Sequence, residues 1–500
     1  MSETLGSVLA RAAGQHAGAE AVVDGETRWS YAELDARVQA FDAALDDLGF
    51  ERGDVVAVLA QNSAEHVVTS LAIPRSGRVL NDLNYRLAPG ELEFILGDSG
   101  AKALVVDDGF LELGQRLAST VDGIEHLIER SSFEALSTSG AARPLESLDP
   151  NALAGIFYTG GTTGLPKGAM LSHRNLIQNA KHMLIALGYD ESDTYIHAAP
   201  MFHLADGASL FGITWVGGKH VAQRAFTPAG WLALVESERA TRGMLVPTMV
   251  GMVLEEPSLA ERDVSSLRSV MYGASPMPTA LLARAMKSIP CDWYQGYGMT
   301  EAAPLVSVLT ARDHRAGVER AGESADRLRS AGRPIVGVEV EVRRPDGTPC
   351  ADRESGEIYV RGPNVMQGYW GGEPMKDGWF HTGDIGRIDE DGYITIVDRM
   401  KDLIIRGGYN VYPRDVEDAL LDHPDVTMAA VVGRPDARLG EEVVAFVSLR
   451  PGTEASEEEL DAHLRERLAP TKRPREIRVL DQIPLTSVGK LNRKALRTLT

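Results

Sequence analysis

Short apolar runs alternate along most of the chain with stretches whose apolar positions recur three and four residues apart. Asp54-Val-Val-Ala-Val-Leu-Ala60 and Ala101-Lys-Ala-Leu-Val-Val106 are runs of the first kind, and Ala64–Ile73 and Pro89–Leu96 are stretches of the second. The runs predict buried strands and the stretches predict helices. Their alternation over about the first 400 residues predicts α/β layers on parallel sheets. Met244–Leu254 is apolar but too short to span a bilayer, so a buried element is expected there.

The pattern changes after Gly332. Val338–Arg343, Pro345-Asp-Gly-Thr348 and Gly356–Val360 read as strand, turn and strand. Gly386–Asp389, the Asp391-Gly392 turn and Tyr393–Val397 form a second hairpin signal. Past Arg399 the chain reads as strand (Leu403–Ile405), helix (Pro413–Leu421), strands (Val426–Val432 and Glu442–Leu449), helix (Ser456–Leu468) and a strand near Ile477–Leu480, with a basic end. The expected fold class is therefore α/β. A large N-terminal domain of α/β layers with a β-rich subdomain (1–398) precedes a small α+β domain (399–500), joined at Asp398-Arg-Met-Lys401.

Composition narrows the function. Five hundred residues exceed what one core serves, which agrees with two or more domains. A net charge of −20 argues against non-specific nucleic-acid binding and against an anionic membrane surface. It does not exclude an anionic substrate, because a few local cations and amides suffice to bind one. Two cysteines, Cys291 and Cys350, supply neither a disulfide framework nor a metal cluster, and imply a reducing, cytoplasmic compartment. The N-terminus lacks the basic start and apolar run of a signal peptide, and no membrane segment is expected.

Three loops carry candidate chemistry. Tyr158-Thr-Gly-Gly-Thr-Thr-Gly-Leu-Pro-Lys-Gly168 joins glycines, hydroxyls and a lysine directly after the apolar run Ala154–Phe157. Glycines admit backbone amides to a phosphate, hydroxyls donate to its oxygens, and Lys167 adds a cation. Gly168 stands where the Walker pattern requires Ser or Thr, so this is not a P-loop; a plain solvated turn is the alternative. Gln295-Gly-Tyr-Gly-Met-Thr-Glu301 offers an aromatic face for adenine, a hydroxyl at Thr300, and at Glu301 a hard-oxygen ligand for Mg²⁺. A tight turn with a solvated acid would look the same. Thr382-Gly-Asp384 reads as a turn whose aspartate either accepts ribose hydroxyls or closes an Asx-turn.

Taken with Asp398-Arg-Met-Lys-Asp402 and Pro484-Leu-Thr-Ser-Val-Gly-Lys490, these segments resemble, in order and spacing, the adenylate-forming superfamily of acyl-CoA synthetases, peptide-synthetase adenylation domains and luciferases. The resemblance covers essentially the whole chain. Pro200-Met-Phe-His203, Gly356–Tyr369 and Gly407-Gly-Tyr-Asn-Val-Tyr-Pro413 resemble bacterial fatty-acyl or 4-coumarate-type CoA ligases most. The implied activity is ATP-dependent acid–thiol ligation, with a medium- to long-chain fatty acid or an aryl or aryl-propenoic acid activated as acyl-AMP and passed to coenzyme A. The alternative is an amino-acid or aryl-acid adenylating enzyme that delivers to a carrier protein or another acceptor. A luciferase-like oxygenase and a non-catalytic nucleotide sensor are further readings, and Lys490, Glu301 and Thr163 together speak against the sensor.

The resemblance also implies roles for residues. ATP and AMP would be held by Thr159, Gly160, Gly161, Thr162, Thr163, Gly164, Lys167, Ala274, Ser275, Gln295, Gly296, Tyr297, Thr300, Asp384, Arg399, Lys401 and Lys490. Lys490 would bridge the carboxylate and the α-phosphate, because one anion attacking another needs a cation between them. Glu301 would carry Mg²⁺, and Lys490, His203, Thr163 and Glu301 form the catalytic set. The acyl pocket would comprise His203 as gate, Asp206, Gly207, Tyr272, Gly273, Gly298 and Met299; the small residues there, with Ala208 and Ala274, imply a roomy pocket. Asp206 either faces this pocket, to bond a polar substituent, or turns away to a backbone partner. Arg224, Arg406, Gly407 and Gly408 would meet CoA as the C-terminal domain swings about Asp398–Lys401. Gly160 stands where most relatives have Ser, and Arg406-Gly-Gly-Tyr409 replaces the more frequent Ser-Gly-Gly-Glu. The implied partners are small molecules only, for a monomer or homodimer.

Overall fold

A computed structural model describes residues 3–139, 143–160, 165–319, 327–373, 375, 377–450, 452–485 and 491–500. The chain divides into two compact units, residues 1–339 with 361–380, and residues 340–360 with 381–500.

The first unit holds two sheets. The six-stranded sheet runs His126–Ile128, Ala101–Val106, Val55–Leu59, Val79–Asp82, Leu153–Thr159 and Lys167–Ser172, parallel except for the last pair. Val55–Leu59 is buried at every position, as a continuous apolar run requires when both faces of a parallel strand are covered. The next helix, Ala64–Arg75, begins at Ser63, whose hydroxyl accepts the His66 amide. It is buried nearly all round, which explains why its hydrophobic pattern is broad rather than a narrow stripe. Helix Pro89–Ser99 starts on the proline and stops at Gly100, which adopts φ +65°.

The nine-stranded sheet runs Arg333–Pro334, Leu305–Leu309, Asp292–Gly298, Ser269–Gly273, Arg242–Leu245, Thr194–His197, Lys219–Ala222, Glu20–Asp24 and Thr27–Ser30. Its six inner strands are parallel. Met244–Leu254 divides at Pro247 into the end of a strand and the helix Pro247–Glu255, because proline suits a first helical turn but not a ladder.

The second unit contains a four-stranded sheet (Glu339–Arg343, Gly356–Arg361, Phe380–Ile388, Ile394–Arg399) and a five-stranded sheet centred on Gly440–Leu449. Along that central strand Val443, Ala445 and Val447 pack on one face with Val416, Leu420, Leu460 and Leu464, and Val444 and Phe446 on the other with Ile483 and Leu496. Such a strand buries both of its faces, each large side chain contributing about 1.5–3 kcal/mol.

The expected boundary at 398/399 falls inside this unit. The Asp398 carboxylate accepts the amides of Arg399 (2.7 Å) and Arg414 (2.9 Å), and the Arg414 guanidinium donates to the Ile396 carbonyl. These bonds tie the last strand of the four-stranded sheet to the first turn of helix Pro413–Leu421. Among the described residues no helix is long and apolar enough to cross a membrane.

Candidate active site

In parallel α/β sheets the free amides and loops gather beyond the C-terminal ends of the strands, where ligands bind. The first unit places most of the expected residues there. Thr159 ends the strand Leu153–Thr159, and Lys167 opens its antiparallel neighbour, paired in register with Thr159. Gly161, Thr162, Thr163 and Gly164 lie outside the described residues, as does Lys490. Thr159 donates its hydroxyl to the Lys167 carbonyl at 3.3 Å, and Gly160 and Lys167 are exposed.

A segment not anticipated as part of the site lies along this hairpin. Met170 donates its amide to the Gly368 carbonyl, Gln367 to the Met170 carbonyl, and Trp370 to the Gly168 carbonyl. Residues 367–370 thereby lie against the sheet's edge strand, beside the phosphate loop. The Tyr369 hydroxyl donates to Glu301 Oε1 at 2.8 Å, and the Lys167 ammonium lies 5.3 Å from the centre of the Tyr369 ring. The Trp370 indole donates to the Asp98 carbonyl, and the Tyr158 hydroxyl to the Asp98 carboxylate. The signal for Tyr369 was its place at the end of Gly356–Tyr369, a stretch that carried the resemblance but no role.

On the nine-stranded sheet Gly273 pairs with Gly296, so Ala274-Ser275 and Tyr297-Gly298 emerge side by side. Ala274 has φ +64°, and Gln295, Gly296, Tyr297, Met299, Thr300 and Glu301 are half-buried. The glycines expected to make room do something else. A Cβ would stand 2.0 Å from the Met201 carbonyl oxygen at Gly207, 2.5 Å from that of Gly296 at Gly273, and 1.9 Å from that of Pro304 at Gly298. Close backbone packing, not an open pocket, requires glycine at all three.

Two expected pocket side chains point into the core. Asp206, in the first turn of helix Leu204–Val216, is fully buried. Its Oδ2 lies 2.7 Å from His197 Nδ1 and its Oδ1 accepts the Tyr195 hydroxyl at 3.2 Å. His197 Nε2 meets His220 Nδ1 at 3.1 Å, and His220 Nε2 meets Thr214 at 3.0 Å. Burial raises the Asp206 pKa and the bonds to His197 and Tyr195 oppose the shift. Tyr272 is also fully buried, its hydroxyl 2.9 Å from His314 Nε2. The helix before which His203 stands thus begins over a chain of buried polar side chains, and the His203 ring, half-buried, packs 4.2 Å from that of Phe202.

The cations expected to meet CoA are committed elsewhere. Arg224 holds Asp24 through two bonds of 3.3 and 2.9 Å. Arg406 pairs with Glu442 at 2.8 Å and donates to the carbonyls of Thr471 and Arg473. Between Arg406 and Tyr409, Gly407 and Gly408 adopt φ +59° and +83° and turn a short hairpin, Ile404–Arg406 against Tyr409–Val411. Two consecutive positive φ values are what such a turn needs, so the Gly-Gly pair was a hairpin signal. Ile405 and Tyr409 are exposed on it.

Also in the second unit, Thr382-Gly-Asp384 lies within the strand Phe380–Ile388 and is not a turn. Asp384 pairs in register with Arg399, whose Nε lies 2.6 Å from Asp384 Oδ1. The aspartate is 2% exposed, whereas Arg399 and Lys401 are exposed.

No group of three or more His, Cys, Asp or Glu side chains that could hold a metal is found among the described residues. Glu301, a single carboxylate beside the phosphate loop, still fits magnesium, which keeps waters and binds chiefly through substrate phosphates rather than in a protein cage.

Thr159, Lys167 and Glu301, gathered at the C-terminal ends of parallel strands, have the chemistry to meet a nucleotide's phosphates and their metal. Comparison with known proteins agrees. The AMP-binding enzyme model matches residues 9–370, and the AMP-binding enzyme C-terminal domain model matches residues 415–490. The chain belongs to the AMP-binding enzyme family. It is 38% identical to a feruloyl-CoA synthase of an Amycolatopsis species, covering 99% of both chains. It is 33% identical to the medium/long-chain-fatty-acid–CoA ligase FadD8 of Mycobacterium tuberculosis, covering 98% of this chain and 89% of the relative. Among solved structures, the o-succinylbenzoate CoA synthetase of Bacillus subtilis in complex with its acyl-adenylate intermediate superposes with a TM-score of 0.87 at 32% identity, covering 98% and 97% of the two chains.

Proposed function

We propose that the chain is an AMP-forming acid–CoA ligase that activates an aryl-propenoic acid or a medium- to long-chain fatty acid. The observation that carries this reading is the joining of Lys167 on the phosphate-loop hairpin to Glu301 through Tyr369. An acid-activating site needs such a cation for ATP phosphates and such a carboxylate for their metal. Relatives that carry feruloyl-CoA synthase and fatty-acid–CoA ligase names set the acid classes.

In this reading Thr159, Thr162, Thr163 and Lys167 hold the phosphates, and Asp384, oriented by Arg399, takes the ribose hydroxyls. Magnesium, held by Glu301 and the phosphates, would offset charge on the departing pyrophosphate. Lys490 offsets charge where the carboxylate oxygen attacks the α-phosphorus. After pyrophosphate leaves, residues 399–500 turn about Asp398–Lys401, a motion that must break the bonds of Arg414 to Asp398 and Ile396. The CoA thiol then attacks the activated carbonyl, and AMP departs. Because Arg224 and Arg406 are already paired, exposed residues of the Gly407-Gly408 hairpin are the better candidates for meeting the thiol. Small-molecule substrates and a cytoplasmic enzyme, monomeric or homodimeric, complete the reading.

The test is AMP release over carboxylic acids graded in length and aromaticity, with and without CoA. Acid-dependent AMP release that rises with CoA and yields the thioester supports the reading. ATP binding with no AMP from any acid would leave a nucleotide sensor. Pyrophosphate exchange with amino acids but with none of these acids would favour the carrier-linked alternative.

A further inference from the structure

Tyr369 has a geometry that packing alone does not call for. Its hydroxyl donates to Glu301 Oε1 at 2.8 Å while its ring lies under the Lys167 ammonium, 5.3 Å from centroid to nitrogen. It is fixed in place: the Glu301 carbonyl accepts the Met366 amide, and the residues on either side of Tyr369 bond to the strand that Lys167 opens. Backbone on both sides of the ring therefore follows the two side chains it touches.

A lysine and a glutamate left facing one another beside an anion site would pair and neutralise each other. Here, among the described residues, neither forms an ion pair. The face of the ring carries negative potential and attracts the ammonium without consuming its charge. The hydroxyl gives the carboxylate one directed bond and leaves its remaining lone pairs open.

We propose that Tyr369 is a positioning residue of the ATP site, an inference that rests on the ligase reading. Its ring holds Lys167 where the cation can meet nucleotide phosphates, and its hydroxyl aims Glu301 at the magnesium ion that accompanies them. The two functions sit on different atoms, so two substitutions separate them. Tyr369→Phe removes one oxygen and keeps the ring, whereas Tyr369→Leu removes both.

Calorimetric titration with ATP, without any acid so that nothing turns over, reads the roles directly when run in Mg²⁺ and again in EDTA. For Tyr369→Phe, affinity in Mg²⁺ should fall about tenfold, the loss of one hydrogen bond to a charged group, while affinity in EDTA stays within twofold of wild type. Tyr369→Leu should weaken binding under both conditions. Equal losses for Tyr369→Phe with and without Mg²⁺, or no loss in either, would overturn the assignment, and thermal unfolding of each variant checks that the fold persists. A wild-type enzyme that binds no ATP would overturn the ligase reading itself, and this inference with it. Should Tyr369→Leu fail to fold, Tyr369→Phe alone still decides the hydroxyl's role.

Discussion

Replacing Asp206 separates a pocket residue from a core residue. Its carboxylate is fully buried and accepts from His197 Nδ1 at 2.7 Å and from the Tyr195 hydroxyl at 3.2 Å. Alanine would strand two buried donors that water cannot reach, each costing about 1–3 kcal/mol. The sum, about 2–6 kcal/mol, agrees with the roughly 3–5 kcal/mol expected when one member of a buried pair is removed. Asparagine keeps one acceptor oxygen and should cost about half as much. The assay is urea unfolding of both variants, with kcat/KM measured in parallel for a hydroxylated aryl-propenoic acid and a fatty acid. Stability should fall while the ratio of the two kcat/KM values stays within about twofold, since a group turned into the core cannot discriminate between acids. A tenfold change in that ratio for Asp206→Asn, with stability moved by less than about 1 kcal/mol, would refute the reasoning and return Asp206 to the acyl pocket.

Other consequences are open to direct measurement. Burial holds His173, His182 and His314 at pKa values of about 4, below their ordinary range. The unfolded chain binds these protons first, so stability should rise with pH between about 4 and 6.5, by at most ~4 kcal/mol per pH unit for three groups. Urea unfolding at pH 7, 6 and 5 checks this, and a flat or falling profile on the way up would contradict it. Arg406→Ala should destabilise the second unit by about 3–5 kcal/mol by stranding Glu442, as read by denaturant unfolding, with a smaller effect on the KM for CoA than Tyr409→Ala has. Lys490→Ala should cut acid-dependent pyrophosphate exchange at least ~100-fold and still form thioester from synthetic acyl-adenylate; parallel loss of both would remove its assigned role.

Local chemistry was legible in the chain because it depends on neighbours in sequence. The phosphate loop follows an apolar run that could only be a buried strand, and Ser63, Pro89 and Gly100 mark helix ends by bonds within a few residues. The order of strands and helices predicted α/β layers for the same reason. The sequence alone also assigned the family, through several motifs in fixed order.

Tertiary structure decided what the side chains face. Asp206 and Tyr272 follow residues plausible for a pocket, yet their partners, His197 and His314, lie 9 and 42 residues away and come close only when a helix packs on a strand. Gly207, Gly273 and Gly298 looked like room for a substrate; backbone crossing at those points shows that no side chain would fit. Thr382-Gly-Asp384 has the composition of a turn, but pairing of Asp384 with Arg399 keeps it in a strand. Tyr369 stands 68 residues from Glu301. Which residue holds the lysine of the opening loop is set by backbone bonds that residues 367–370 make along the sheet's edge, and bonds between distant segments leave no local mark.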